Sequence, residues 1–203
     1  MKLTATMFVT IDGVYQAPGG PEEDPGGGFQ HGGWLTPYFD QALGESMVEK
    51  FSHVDAFLLG RRTYEIFAGY WPNVTDPANP IAAALNSLPK YVASHSLDKA
   101  EWANSEVLSG DIAAQVAELK RRPGRELQVH GSGALVNFLA QHDLIDGYRL
   151  LIFPVLLGTG KRLFAEGTVP TAFRLTGSMT NGTGVTVQTY ERAGVPEYGT
   201  VAD

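Results

Sequence analysis

Apolar and polar positions follow two periods along this chain, and the switches between them lay out its elements. Residues 3–11 are rich in Thr, Val, Phe and Met and carry no charge, the profile of a buried or half-buried strand, which Asp12-Gly13 ends. Phe39, Leu43, Met47 and Phe51 then recur at four-residue spacing behind Thr36-Pro37, a good cap and first-turn pair, so a helix is predicted to about Ser52. A short apolar strand at 54–59 runs into Gly60-Arg61-Arg62-Thr63, where the next helix starts. Three X-Pro pairs make 69–80 irregular, and a short helix follows at 81–88. Strands are predicted at 90–94 and 106–108. Ile112, Val116 and Leu119 mark one face of a helix capped by Ser109 or Asp111 and stopped at Pro123-Gly124.

The next stretch reads as a strand at 127–130, a Gly131-Ser132-Gly133 turn, a helix from Ala134 to about Gln141, and a strand at 148–154 too continuously apolar to face water on either side. Two Thr- and Val-rich runs, 172–180 and 184–192, flank the hairpin dipeptide Asn181-Gly182. Alternating strands and helices followed by a hairpin argue for an α/β fold: a mostly parallel sheet, helices on both faces and an antiparallel C-terminal edge. With no internal repeat and no shift in composition, residues 1–193 are expected to form a single domain and 194–203 a fraying tail. Residues 14–33, dense in Gly and Pro, hold no regular pattern. Two readings stay open, a lid and a disordered insert. As a lid it would offer Phe29 and Trp34 to cover a ring, with Glu22, Glu23 and Asp24 solvated at its tip.

Composition narrows the chemistry. The 203 residues suffice for one sizeable core, and no apolar run approaches a membrane span or signal segment, so the expectation is a cytoplasmic protein without a membrane partner. The chain has no cysteine, which excludes disulfides, thiolate nucleophiles and the cysteine-ligated zinc of a nucleotide deaminase. A net charge of −7 without a basic run speaks against nucleic acid. His31, His53, His95, His130 and His142 show no ligand spacing, so no metal site is expected.

Two motifs fail on inspection. Gly131-Ser132-Gly133-Ala134-Leu135-Val136 has Val136 where the Rossmann fingerprint needs its third glycine, and Gly160-Lys161 lacks both the upstream glycine and the hydroxyl residue of a P-loop. No Gly-x-Ser-x-Gly elbow supports a serine hydrolase. A strand, glycine turn and helix start at Gly131 still bring free N–H groups to one point, which suits a phosphate or serves only as a connection. Gly60-Arg61-Arg62-Thr63 adds two guanidinium groups to a second such junction. In open sheets, junctions of this sort at Gly60, Ser94 and Gly131 converge at the strands' carboxyl ends.

Thr10-Ile11-Asp12-Gly13, Leu58-Leu59-Gly60-Arg61-Arg62-Thr63-Tyr64-Glu65, Val129-His130-Gly131-Ser132-Gly133 and the run from Phe153 to Phe164 together resemble the dihydrofolate reductase-like family. The similarity is to the branch related to the C-terminal reductase domain of the bifunctional riboflavin biosynthesis protein. That resemblance implies a mainly parallel sheet ended by an antiparallel hairpin, NADPH as hydride donor, a small-molecule substrate and a homodimer. It puts Gly60, Arg61, Arg62 and Thr63 at the cofactor's phosphates, Ser94 and His95 near the adenosine 2′-phosphate, and Gly131, Ser132, Gly133 and Ala134 around the pyrophosphate. Asp12 and Gly13 would begin the loop over the nicotinamide. No residue matches the acid with which true dihydrofolate reductases protonate their pterin, and only Asp12 and Asp40 stand as catalytic candidates. The implied activity is reduction of a pterin-like or ribosylaminopyrimidine-like heterocycle. The alternative is a nucleotide-binding module without turnover.

Overall fold

The computed structural model describes residues 1–164 and 166–201; the last two residues of the expected frayed tail, like Ala165, lie outside the described residues. The strands are β1 (Lys2–Thr10), β2 (Val54–Gly60), β3 (Lys90–Ala93), β4 (Ser105–Leu108), β5 (Glu126–Val129), β6 (Gly147–Phe153), β7 (Ala172–Thr180) and β8 (Thr186–Gly194). They form one sheet in the order β4-β3-β2-β5-β1-β6-β8-β7. Every pairing from β4 across to β6 is parallel, and β8 and β7 extend the sheet antiparallel. The expected α/β architecture, with an antiparallel C-terminal edge, is what the chain adopts.

Helices α1 (Gln41–Phe51), α2 (Arg61–Tyr70), α3 (Pro80–Ser87), α4 (Ile112–Arg121) and α5 (Gly133–Gln141) cover the sheet. Strand alternation separates two cores. Leu3, Ala5, Ala56 and Leu58 pack with Ile112, Val116 and Leu119 of α4 and Leu135, Val136 and Leu139 of α5. Phe57, Leu59 and Val92 pack with Leu43, Met47 and Phe51 of α1, Tyr64 of α2 and Leu85 of α3. Both faces of β2 are thus buried beyond Asp55, which is why residues 56–59 are an unbroken apolar run.

Local boundaries depart from the sequence reading in two places. Thr36-Pro37 opens only a single 3-10 turn, Thr36–Tyr38; α1 starts four residues later, where the Asp40 side chain accepts from Leu43 N at 2.9 Å, and Phe39 is left exposed. A carboxylate can satisfy an orphan N–H that Thr36, with no side-chain capping bond of its own, leaves unmet. Asn181-Gly182 is not a two-residue hairpin turn. The Asn181 side chain accepts from Thr183 N and Val185 N, and the connection takes up residues 181–185. No helix among the described residues is long and apolar enough to cross a membrane.

Candidate active site

Because β2 and β5 are neighbours, the junctions that follow them touch. Gly60 N donates to Gly131 O at 3.0 Å. A Cβ on Gly60 would press on Ser132, and one on Gly131, whose φ is +117°, would meet Thr63 Oγ1 at 2.9 Å. Only glycine permits this approach. It sets the first turns of α2 and α5 side by side. The start of α2 has no side-chain cap, and at α5 the Ser132 hydroxyl meets only Leu135 N, at 3.4 Å. The Gly131–Ser132 peptide is cis. These first turns present N–H groups and positive dipole ends to one place.

They open on a cavity of about 250 Å³. One part of its wall consists of Arg62 and Thr63 with residues 130–133; the other is Thr6, Met7 and Phe8 of β1 together with Tyr15, Gln16, Glu23 and Asp24 from the Gly/Pro-rich loop. His130 extends a polar row on β5 in which Gln128 is buried and Glu126 and His130 are half-buried. Lys50 Nζ bonds Glu126, Gln128 Nε2 donates to Glu126 Oε2 at 2.7 Å, and Gln128 Oε1 faces His130 Nε2 at 2.9 Å. In that arrangement His130 Nε2 carries the proton, assigned from the network. Burial first, then the charges of Lys50 and Arg149, hold the imidazole down at about 3, so it is neutral at physiological pH.

The loop differs most from its expected form. Phe29 and Trp34 are buried and spent on the core; the Trp34 ring meets Phe153 edge-on, and its Nε1 donates to Gln16 O at 2.8 Å. Gln16, itself buried, donates to the carbonyls of Asp24 and Gly26 and accepts from Lys161 N. Glu22 is solvated as expected, but Glu23 is partly buried and Asp24 is buried. Asp24 pairs with Lys161 Nζ at 2.6 Å and Arg62 Nη1 at 2.9 Å. Burial works against its charge, and the Lys161 bond, the Gly26 N–H and Arg62 outweigh that and hold its carboxyl low. The solvated tip was expected from composition; distant cations overturn it.

Among the residues singled out from sequence, Arg62, Thr63, Gly131, Ser132 and Gly133 come together at the cavity. Arg61 points to solvent and pairs with Glu65 one turn on, and Ala134 is exposed in the first turn of α5. Ser94 and His95 follow β3, one strand beyond β2; the buried Ser94 hydroxyl accepts from Ser96 N and Leu97 N, and His95 is exposed. Gly13 turns the chain at φ +77°.

Neither acid candidate borders the cavity. Asp12 accepts from Thr10 Oγ1, Leu157 N and Gly158 N and meets Arg162, tying β1 to the 157–162 segment. Asp40 caps α1 and holds Asn181 and Gly182. The hydrogen bond from Thr10 lowers the Asp12 pKa, and the one from Leu43 N lowers that of Asp40. Both are therefore ionised at neutral pH and have no proton to give. Sequence reasoning missed Thr6, Tyr15, Glu23 and Asp24. A Tyr-Gln pair and three acids inside a Gly/Pro segment, with Lys161-Arg162 the basic pair far along the chain, were the available signal.

The residues present fit a dinucleotide's phosphates: two adjoining first turns, one left without a side-chain cap, and the Arg62 guanidinium, half exposed beside its bond to Asp24. Among the described residues no group of three or more His, Asp or Glu is placed to hold a metal.

Comparison with known proteins gives the same direction. The family model described as the RibD C-terminal domain matches residues 1–187. The chain is 27% identical over 172 residues to YyaP of Bacillus subtilis, named as an uncharacterized protein, covering 81% of each. Its structure is similar to that of a Shewanella sp. PV-4 protein provisionally assigned to riboflavin biosynthesis, at a TM-score of 0.71 and 22% identity, covering 95% of this chain and 99% of that one. It is also similar to a diaminohydroxyphosphoribosylaminopyrimidine deaminase/5-amino-6-(5-phosphoribosylamino)uracil reductase from Thermotoga maritima, at a TM-score of 0.62 and 13% identity, covering 95% of this chain and 56% of that one. At these identities the solved structures share the fold.

Proposed function

Because the chain belongs to the RibD C-terminal domain family, we propose that it is an NADPH-dependent reductase of a small heterocycle, pterin-like or ribosylaminopyrimidine-like. The observation that carries this reading is the meeting of two helix first turns, with Arg62 and Thr63, on the edge of a cavity of about 250 Å³. Under it, the N–H groups of α2 and α5 and the guanidinium groups of Arg61 and Arg62 bind the cofactor's phosphates, with Ser94 and His95 beside the 2′-phosphate. When bound, the reduced nicotinamide supplies the hydride. The protein's work is binding, orientation and exclusion of water, which Phe8, Tyr15 and the tethered loop serve by walling the cavity. A homodimer in the cytoplasm is part of the same proposal, and sedimentation tests the dimer.

Titration calorimetry with NADPH and NADH tests the cofactor assignment. We expect tighter binding of NADPH, and loss of most of that preference in the Arg61→Ala/Arg62→Ala double variant, since each charge-assisted bond contributes roughly 1.5–3 kcal/mol. Equal affinities in the wild type contradict the placement. Loss of NADPH absorbance with 5-amino-6-(5-phosphoribosylamino)uracil or a dihydropterin as acceptor tests the reaction class. Binding without oxidation of any acceptor would favour the non-catalytic module.

A further inference from the structure

We propose that Glu23 is the proton donor of this cavity, handing its carboxyl proton to the heteroatom of the double bond being reduced. This rests on the reductase reading above. Glu23 lines the cavity from the loop side. Its Oε2 is fixed by Gly19 N at 2.6 Å and Gly20 N at 3.2 Å, and among the described residues its Oε1 has no hydrogen-bond partner. The free Oε1 is the carboxyl oxygen left to meet a ligand's heteroatom.

Charge sorts the two neighbouring acids. Asp24 takes both nearby cations, Arg62 and Lys161, and stays ionised. Glu23 is left with none. Burial raises its pKa against the two glycine N–H bonds, and the Asp24 charge adds to the rise. The other titratable groups on the cavity are poorer donors. Tyr15 keeps its proton but, raised by burial and then by Asp24, is a far weaker acid than a carboxyl; His130 is neutral with its Nε2–H committed to Gln128, and Arg62 is held by Asp24. Adjacent acids whose surroundings push their pKa values apart are the pattern of a donor beside a permanent charge.

The step balances. The acceptor carbon of a C=N or C=O bond takes the hydride from the reduced nicotinamide, the π electrons move to the nitrogen or oxygen, and the Glu23 O–H bond breaks as its proton passes to that atom. The carboxylate left behind is reprotonated from solvent. General-acid assistance of this kind contributes about 10²–10⁴-fold.

Two measurements on the whole chain test this. Carboxyl-detected NMR titration of the ligand-free protein should show Glu23 titrating above the ordinary glutamate range; titration at or below it overturns the proposal. In the second, NADPH oxidation by 5-amino-6-(5-phosphoribosylamino)uracil is compared in wild type, Glu23→Gln and Glu23→Asp. Glutamine keeps a carbonyl for the Gly19 and Gly20 N–H groups and loses only the proton. We expect kcat to fall roughly 10²-fold or more in Glu23→Gln with KM for NADPH unchanged. The alkaline limb of the wild-type profile should match the NMR titration, vanish in Glu23→Gln and return in part in Glu23→Asp. Wild-type kcat and an unaltered pH profile in Glu23→Gln would remove Glu23 from the mechanism while leaving the reductase reading intact. A wild type that oxidises no NADPH with this acceptor or a dihydropterin removes that reading and the donor role with it.

Discussion

On one wall of the cavity, Arg62 and Thr63 and Gly131 to Gly133 are placed by the strands before them, which lie side by side in the sheet. On the other, residues 14–33 have no strand or α-helix and are held by groups far along the chain: Asp24 by Lys161, 137 residues away, and Gln16 by the Lys161 N–H, 145 away. The first wall follows from sheet order and glycine geometry. The second depends on a few buried polar atoms and aromatic anchors, and losing any one of them should loosen all of it. If the contrast is right, the two walls respond differently to single substitutions and to pH.

Trp34→Ala should have the largest effect. It removes an aromatic ring packed on Phe153 and the bond to Gln16 O, and comparable core truncations cost about 3–5 kcal/mol. Urea unfolding measures it. A loss below roughly 1 kcal/mol would mean that the loop is not part of the core.

The first wall should respond to acid instead. His130 is depressed to about 3 in the folded state, against about 6.5 unfolded. The unfolded chain therefore binds more protons between those values, so the stabilisation is complete above pH 6.5 and is lost as pH falls toward 3. Allowing for partial exposure of the ring, the loss is of order 3 kcal/mol at 1.36 kcal/mol per pKa unit. His130→Gln should flatten this part of the stability curve. An unchanged slope in that variant contradicts the account of the buried row.

Asp24→Asn should have the smallest effect on stability, about 1–2 kcal/mol, because Arg62 and Lys161 are each about half exposed and find water when released. Its mark lies elsewhere: the loop, freed from α2, should be cleaved faster by protease, while α2 and α5 stay protected from hydrogen exchange. Equal cleavage rates would show that the two walls are not joined through Asp24.

The same contrast explains what the sequence makes legible. Strand order cannot be read from the chain, yet the continuous apolar run Ala56-Phe57-Leu58-Leu59 fits a strand covered on both faces, and the glycines at 60 and 131 mark turns that admit close approach. Those are local signals. The start of α1 was misplaced because Asp40, whose value as a cap emerges only beside Asn181, outcompetes Thr36-Pro37. Glu23 and Asp24 depart from the solvated tip for the same reason. Nothing within residues 14–33 reveals that Lys161 neutralises Asp24, and composition alone therefore predicts a solvated tip. Asp12 and Asp40 lie near strand and helix ends, where capping and turn bonds collect acids that do no chemistry.

The central claim, that the joined first turns of α2 and α5 hold a reduced dinucleotide's phosphates, is tested most directly by following backbone amide resonances while NADPH is added to the wild-type chain. The account predicts that the largest changes fall on the N–H groups of Arg61, Arg62 and Thr63 and of Gly133, Ala134 and Leu135. Unmoved resonances at both first turns, with changes gathered at the apolar groove beside Tyr148 and Phe173, would contradict it.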